Sequence, residues 1–293
     1  MNQTVRSSAP SAVDWRGISS YLLITMSITW AIEFAMIAAG VRFDTPPIFA
    51  QLVVAAVMWV PAVGAFIVRK WVTREGFATA GLRWAPWKAF LGVQLFTPLV
   101  FAAIYLLTWA LGLAKIDPQL STLFGPMRAA SPTQPFPDPL VVVAGLSAAS
   151  LVAAPWINAV FGFGEEFGWT GYLLPKLLPL GRARAVGIYG VIWGLWHAPL
   201  IAAGFSLPGH PVLGIFLMCG MATALGLTQL ALLERYRSVL LTAFVHGAFN
   251  AQAYGIWRVL FVDAHPLLGG MTGLIGIGLI ALPGLWLLSR PAK

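Results

Sequence analysis

Residues 139–168 read PLVVVAGLSAASLVAAPWINAVFGFGEEFG. A predominantly apolar run over 139–164 ends on two adjacent carboxylates, Glu165 and Glu166. A run of this length can cross a bilayer as a helix, which needs about 20 residues. Acidic side chains beside a membrane span are costly to desolvate and therefore mark candidate functional sites. The stretch predicts a membrane-spanning helix with a functional acidic pair at its end.

The overall composition is typical of an integral membrane protein. Of the 293 residues, 59% are hydrophobic and only 10% are charged, and the mean hydropathy is +0.81. Soluble domains carry about 25% charged residues, so helical membrane spans are the expected architecture. The net charge of +8 lies in short connections between apolar runs and forms no basic face interleaved with aromatic residues. We therefore expect membrane lipids around the chain and no nucleic-acid partner.

Apolar runs recur along the whole chain and number eight. They cover residues 19–40, 47–68, 89–113, 139–164, 185–204, 211–233, 238–256 and 266–288. The sequence therefore predicts an all-α, polytopic transmembrane bundle of about eight spans. We expect residues 1–293 to form a single integral membrane domain.

The distribution of basic residues predicts the topology. Of the 18 Lys and Arg residues, 14 lie in the two termini and the even-numbered connections, and 4 lie in the odd-numbered connections. Because cytoplasmic segments of membrane proteins are enriched in Lys and Arg, both termini are expected in the cytoplasm and the number of spans is even. We expect the protein to lie in a prokaryotic cytoplasmic membrane.

Three further polar side chains lie in equally apolar surroundings. His197 lies in VIWGLWHAPLI (191–201), and His246 and Asn250 lie in LTAFVHGAFNA (241–251). Their i, i+4 spacing places His246 and Asn250 on one helical face, where both can donate to an oxyanion or one can bind metal. Taken singly, each feature has a second explanation. Glu165 and Glu166 would be an inert acidic pair at the membrane interface, and the two histidines and Asn250 would make polar contacts between helices. Together, at similar predicted depth, they favour a water-activating hydrolytic site in a cavity open to the cytoplasmic side.

These segments resemble a known family, the intramembrane CAAX-processing and bacteriocin-processing (CPBP) proteases, also called Abi or type II CAAX prenyl endopeptidases. The family pattern is a double glutamate and, after three residues, an arginine. An aromatic residue separated by three residues from a histidine follows, and then a histidine separated by three residues from Asn or Asp. The corresponding segments here are GEEFGWTGYLLP, WGLWH and HGAFN. The resemblance covers about residues 140–255, the expected catalytic core.

The resemblance implies a role for each polar residue. Glu165 is expected to act as the general base on a water that His197 also orients. His246 and Asn250 would stabilise the oxyanion of the tetrahedral intermediate, and Glu166 would support the site. A zinc ion held by Glu165, His197 and His246, with water in the fourth position, is an alternative. We favour a metal-free, glutamate-based site over it.

Two positions depart from the family pattern. Thr170 occupies the place of the arginine; if that arginine pairs with a glutamate, either Arg182 or Arg184 substitutes for it here or activity is impaired. Trp193 stands where the family has phenylalanine, a change that keeps a large apolar wall. Outside the motifs, Glu33 lies in the first run and is expected to bond to a neighbouring helix.

Three functions follow from these observations. The leading hypothesis is an intramembrane endopeptidase that cleaves a membrane-associated peptide or protein, of CAAX-like or bacteriocin type. The second is an inactive relative acting as an immunity factor, chaperone or scaffold. A proton-relaying transporter is the third, and the lack of an internal repeat counts against it.

Overall fold

The computed structural model describes residues 12–43, 47–207 and 209–290. Within these ranges the chain is almost entirely helical, and its only strands are the two-residue β1 (Lys115–Ile116) and β2 (Phe261–Val262), which pair antiparallel. The predicted all-α class is confirmed. Arg6 and Lys293, which entered the count of basic residues, lie outside the described residues, as do both chain ends.

The helices range from four to 26 residues in length. In chain order they are α1 (Trp15–Ala38), α2 (Ile48–Val57), α3 (Val60–Ile67), α4 (Trp87–Ala110), α5 (Ser121–Ala130), α6 (Pro139–Val152), α7 (Ala154–Gly168), α8 (Leu174–Leu177), α9 (Arg182–Trp196), α10 (Ala198–Ala202), α11 (Pro211–Tyr236), α12 (Val239–Ala253), α13 (Ile256–Leu260) and α14 (Leu274–Leu288). One π-helical turn, Val68–Val72, continues α3, and a second, Trp169–Leu173, continues α7.

Among the described residues, four helical segments are long and apolar enough to cross a membrane: α1, Ile48–Val72, α4 and α11. A fifth span is possible if α6 and the helical segment Ala154–Leu180, which meet at a bend of 49°, count as one. The helices α9, α12 and α14 have 15 residues each, fewer than the roughly 20 that span a bilayer. The number of eight spans therefore stays a prediction.

The outer surface also fits a lipid environment. Large apolar side chains are more than half exposed on several helices, among them Leu23, Ile48, Leu99, Leu140 and Phe216. Apolar exposure over so many helices exceeds what soluble monomers show. Together with the long apolar helices, it makes the chain an integral membrane protein.

Two apolar runs that the sequence treats as continuous are broken in the structure. The run over 139–164 stops at Ala153, because Pro155 lacks an N–H and fits only the first turn of a new helix. The run over 185–204 ends its first helix at Trp196, with His197 as the cap residue between α9 and α10. Both breaks lie near the polar residues, and hydropathy alone does not reveal them.

Small residues let α7 and α12 pack backbone against backbone. A Cβ atom added at Gly247 would lie 2.4 Å from the Ala159 nitrogen and 2.4 Å from the Pro155 oxygen. On the facing helix, a Cβ at Gly162 would lie 3.0 Å from the carbonyl oxygen of Ala243. Glycine permits such close approach of membrane helices. This packing brings the end of α7, with its two glutamates, beside α12.

Candidate active site

The two glutamates occupy the last turn of α7, immediately before the π-helical turn Trp169–Leu173. Both are buried, with 2% of Glu165 and 0% of Glu166 exposed. The inert, solvated acidic pair considered from the sequence is therefore excluded. A π-helical turn is uncommon and often accompanies a functional site, because it changes the direction of the side chains around it.

Glu165 is held through one of its two oxygens. Its Oε2 atom accepts hydrogen bonds from the indole Nε1 of Trp193 at 2.8 Å and of Trp169 at 3.2 Å. Its Oε1 atom lies 3.9 Å from Nε2 of His246, beyond direct hydrogen-bond distance. The carboxylate is thus fixed on one side and retains an oxygen to accept a proton on the other.

Glu166 faces a different set of partners. Its Oε1 atom accepts from the side-chain amide of Gln229 at 2.8 Å and lies 2.9 Å from Nδ1 of His246. Gln229 in turn accepts a hydrogen bond from the hydroxyl of Tyr189 at 2.8 Å. The second oxygen of Glu166, Oε2, is buried without a hydrogen-bond partner among the described residues. Glu166 therefore orients His246 and is itself oriented by α11.

His197 is fixed in one orientation by the helix that ends at it. Its Nδ1 atom lies 2.9 Å from the backbone oxygen of Trp193, one turn earlier. A carbonyl oxygen only accepts, so Nδ1 carries the proton and Nε2 of the neutral ring presents a lone pair. The ring also packs edge-on against Trp196 at 4.7 Å between centroids. His197 is half-buried, which leaves Nε2 available to a ligand or water.

Asn250 follows His246 by one turn of α12 and is half-buried. Its carboxamide makes no hydrogen bond within the described part of the chain. The predicted shared face of His246 and Asn250 is consistent with both lying on one uninterrupted helix. A free amide on that face is available as a donor.

Trp193 joins three of these residues and was assigned only a wall role from the sequence. Its indole N–H donates to Glu165, and its backbone oxygen accepts from His197. Its ring lies 5.6 Å from that of His246 between centroids. The sequence did contain a signal for this role. Trp193 replaces the phenylalanine of the family pattern, and tryptophan adds a hydrogen-bond donor.

Part of the chain matches a known protein family. Residues 146–252 match the family described as type II CAAX prenyl endopeptidase Rce1-like. This segment is an Rce1-like domain. A comparison with curated proteins gives no match. The matched segment includes all five predicted site residues.

Thr170, in the place of the expected arginine, is fully buried in the Rce1-like domain. Its hydroxyl lies 3.0 Å from the backbone oxygen of Glu166 and 2.7 Å from the hydroxyl of Thr242 on α12. Arg182 does not replace the missing cation, because it pairs with Glu234 at 2.8 Å. Arg184 is exposed on the first turn of α9. The expectation that Arg182 substitutes is therefore wrong.

A different cation reaches this turn from outside the Rce1-like domain. Arg69, in the π-helical turn after α3, is buried and donates from Nη2 to the backbone oxygen of Gly171 at 2.7 Å. Its guanidinium lies 5.4 Å from the ring centroid of Tyr172 and its Nη1 lies 2.9 Å from Glu75. Nothing in the sequence around Arg69 indicates this contact, because Gly171 is 102 residues away.

Glu33 does not make the expected bond to a neighbouring helix. It is 1% exposed on α1, and both carboxylate oxygens are buried without a hydrogen-bond partner among the described residues. Four residues earlier, Thr29 accepts from the indole of Trp196 at 2.9 Å. Glu33 therefore lies on the α1 face that packs against the end of α9.

The residues of the Rce1-like domain do not fit the zinc alternative. Within the described ranges, no three His, Cys, Asp or Glu side chains are grouped so that they could hold a metal ion. The Nδ1 hydrogen bonds of His197 and His246 are compatible with metal ligation through Nε2, so the misfit with zinc is one of side-chain spacing.

Proposed function

We propose that this chain is an intramembrane endopeptidase in which Glu165 activates a water that attacks a peptide carbonyl. The observation that carries the proposal is the arrangement of Glu165, with Oε2 fixed by two indoles and Oε1 left 3.9 Å from Nε2 of His246. A gap of this size between two polar atoms is suited to a bridging water or substrate oxygen. The match of residues 146–252 to a family of endopeptidases supports the same reaction class.

In the proposed reaction, Oε1 of Glu165 takes a proton from water as the water oxygen bonds to the carbonyl carbon. The lone pair on Nε2 of His197 accepts a hydrogen bond from the same water and orients it. The carbonyl π electrons move to oxygen and form the oxyanion. When the C–N bond breaks, the proton held by Glu165 passes to the leaving amine, and the other product is a carboxylic acid.

His246 and Asn250 are the proposed oxyanion donors. The carboxylate of Glu166 accepts from Nδ1 of His246, so donation to the oxyanion uses a second proton on Nε2. Glu165 and Glu166 lie on either side of this ring and compensate its positive charge. The amide of Asn250, one turn away, supplies the second donor.

The proposed substrate is a membrane-associated peptide or protein of CAAX-like or bacteriocin type. We place the opening of the cavity and both chain termini on the cytoplasmic side, because the basic residues concentrate in those connections. A substrate anchored in the same membrane would reach a buried carboxylate pair without crossing water.

A second candidate is a non-catalytic relative that acts as an immunity factor, chaperone or scaffold. One observation favours it. Thr170 replaces the arginine of the family pattern, and its hydroxyl forms a hydrogen bond with that of Thr242. When the fold is intact, replacing one catalytic side chain abolishes the activity of an enzyme but leaves the binding function of a scaffold unchanged. The test therefore substitutes single polar side chains.

The experiment compares membrane-peptide termini in cells that express the full chain or a variant. Glu165→Gln removes the proposed base and His197→Ala removes the ring that orients the water. Glu234→Gln and His210→Ala are the matched controls, since Glu234 pairs with Arg182 and His210 makes no capping bond at the start of α11. We expect new peptide termini with the wild type and both controls only. Identical new termini with Glu165→Gln, at equal membrane abundance, would show that Glu165 is not the base, and an absence of new termini with the wild type would favour the non-catalytic candidate.

A further inference from the structure

Arg69 is a buried cation that lies outside the segment matched by the family and reaches the turn that follows the two glutamates. It belongs to the π-helical turn Val68–Val72 and is 3% exposed. Its Nη2 atom donates to the backbone oxygen of Gly171, inside the second π-helical turn, Trp169–Leu173. Charged side chains are rarely buried this fully unless they are paired, so the contact calls for an explanation.

The backbone oxygen of Gly171 lacks the partner that a regular helix would give it. In an α-helix this oxygen would accept from the N–H group four residues later. The residue at that position is Pro175, which has no N–H. Gly171 is buried, and a buried carbonyl without a partner costs free energy. Arg69 supplies, at 2.7 Å, the donor that Pro175 does not have.

The other side of the guanidinium is bound to the connection between α3 and α4. Its Nη1 atom donates to the backbone oxygen of Gly76 at 2.9 Å and to the hydroxyl of Thr79 at 3.1 Å. The same nitrogen lies 2.9 Å from Oε1 of Glu75. Because the two nitrogens bind separate segments, Arg69 holds the turn Trp169–Leu173 at a set distance from this connection.

The turn that Arg69 holds carries one of the two indole donors to Glu165. Trp169 is the first residue of the turn, and its Nε1 atom lies 3.2 Å from Oε2 of Glu165. This bond is longer than the 2.8 Å bond from Trp193 and lies at the upper end of the usual range. Since Trp169 and Gly171 share one short turn, a displacement of the Gly171 carbonyl also moves Trp169 and weakens this bond.

We propose that Arg69 is a positioning residue of the active site, an inference that rests on the role proposed above for Glu165. It acts through a chain of contacts that runs from Gly171 to Trp169 and on to Oε2 of Glu165. By supplying the donor that Pro175 lacks, Arg69 fixes the π-helical turn. The fixed turn keeps the Trp169 indole within hydrogen-bond distance of the carboxylate.

The indole N–H signals of the full chain report these contacts without any need for turnover. The chain is prepared in detergent with isotope-labelled tryptophan and measured by proton–nitrogen NMR, and the Trp169 signal is assigned by its absence from Trp169→Phe. We expect Arg69→Gln to move the Trp169 proton signal upfield, because its bond to the carboxylate lengthens, and to leave the Trp193 signal in place. Arg69→Lys should do the same in a chain that keeps the charge beside Glu75, since one ammonium does not replace a two-nitrogen fork.

Two further variants separate the bond to Gly171 from the charge of Arg69. Lys176→Gln is the matched control, because Lys176 also pairs with Glu75 but donates to carboxylates and not to the turn. It should leave the Trp169 signal in place. Pro175→Ala restores an N–H four residues after Gly171, so in the Arg69→Gln background it should return the Trp169 signal towards its wild-type position.

Kinetics of the same variants distinguish this inference from the proposed protease function. Arg69→Gln should lower kcat roughly fivefold, the effect of one hydrogen bond, and leave KM unchanged. Adding Trp169→Phe should lower kcat no further, because both changes break the same chain of contacts. Full activity in Glu165→Gln would overturn the assignment of the base and leave the NMR result standing. A Trp169 signal that stays in place in both Arg69 variants, or that Lys176→Gln moves equally, would overturn the positioning role.

Discussion

The indole Nε1 atom of Trp193 lies 2.8 Å from Oε2 of Glu165. The same residue accepts from His197 through its backbone oxygen, so one residue of α9 orients both the proposed base and the proposed water ligand. Phenylalanine at this position would keep the wall but leave that oxygen with Trp169 alone, at 3.2 Å. With tryptophan at position 193, Oε2 of Glu165 is restrained by two indoles and Oε1 remains available.

Trp193→Phe should therefore reduce activity while leaving the fold intact. A hydrogen bond to a charged group contributes about 1.5–3 kcal/mol, so we expect kcat to fall roughly tenfold to a hundredfold. The measurement is peptide hydrolysis by the purified full chain, with the melting temperature recorded alongside. Trp156→Phe on α7 is the control, since its half-exposed ring has only apolar ring contacts. Equal loss of activity in both variants would remove the special role of the Trp193 N–H.

Gly247→Ala tests the contact between α7 and α12 that brings Glu166 and His246 to 2.9 Å. In an open helical position this substitution stabilises by up to about 1 kcal/mol. Here the new methyl group meets backbone atoms at 2.4 Å, and overpacking costs about 1–3 kcal/mol. We expect a lower melting temperature and lower activity.

The control for that substitution is Gly278→Ala on α14, where an added Cβ meets nothing within 4 Å. It should leave the melting temperature unchanged or raise it slightly. If Gly247→Ala behaves in the same way as Gly278→Ala, the two helices are not held at the observed separation by their glycines.

The members of the candidate site could be predicted because each motif is local. The pair Glu165 and Glu166 is contiguous, and His246 and Asn250 are one turn apart, so sequence spacing alone indicates a shared face. The partners that orient them are distant in sequence. Gln229 is 63 residues from Glu166, and Arg69 is 102 residues from Gly171. Such pairs depend on lateral helix packing, which hydropathy does not encode.

The hydropathy pattern predicts the fold class correctly but misses the breaks in two helices. Apolar composition predicts buried or lipid-facing helices, and the all-α class follows. Hydropathy averages over a window, so it does not detect the breaks at Ala153 and His197. Pro155 was a visible signal for the first break, because a proline N–H is missing from the helical ladder. Pro199 was the corresponding signal for the break at His197, since it too lies in the first turn of the new helix, α10.

The start of α1 provides a test of pH dependence. Asp14 caps the helix by accepting from the Gly17 N–H at 2.9 Å and accepts from Lys176 at 2.9 Å. Partial burial acts to raise the pKa of Asp14, but the Gly17 N–H and the Lys176 ammonium outweigh it and hold the pKa below its usual range. Because the pKa of Asp14 is lower in the folded state than its unfolded value of about 4, the ionised carboxylate stabilises the fold above that pH. This stabilisation is lost as the pH falls through the folded-state pKa.

Asp14→Asn should accordingly lower the melting temperature more at pH 7 than at pH 3, because the stabilisation by the ionised carboxylate is lost progressively below the unfolded pKa of about 4. Thermal unfolding of the full chain in detergent at both pH values measures the difference. Asp263→Asn is the control, because its ion pair with Lys115 is largely exposed and contributes little. A deficit of Asp14→Asn that is equal at pH 3 and pH 7 would contradict a charge-dependent role.

Glu33→Leu should raise stability, in contrast to most substitutions of buried residues. Both oxygens of Glu33 are buried without a partner among the described residues, and an unsatisfied buried polar group costs about 1–3 kcal/mol. An apolar side chain of similar size recovers part of this cost, and each kcal/mol corresponds to roughly 2–4 °C in melting temperature for a large domain. Glu75→Leu is the matched control with the opposite sign, because Glu75 is paired with Arg69 and Lys176 and its replacement should lower stability. A fall in melting temperature for Glu33→Leu, measured with the same detergent and lipid, would show that the Glu33 carboxyl group stabilises the folded chain.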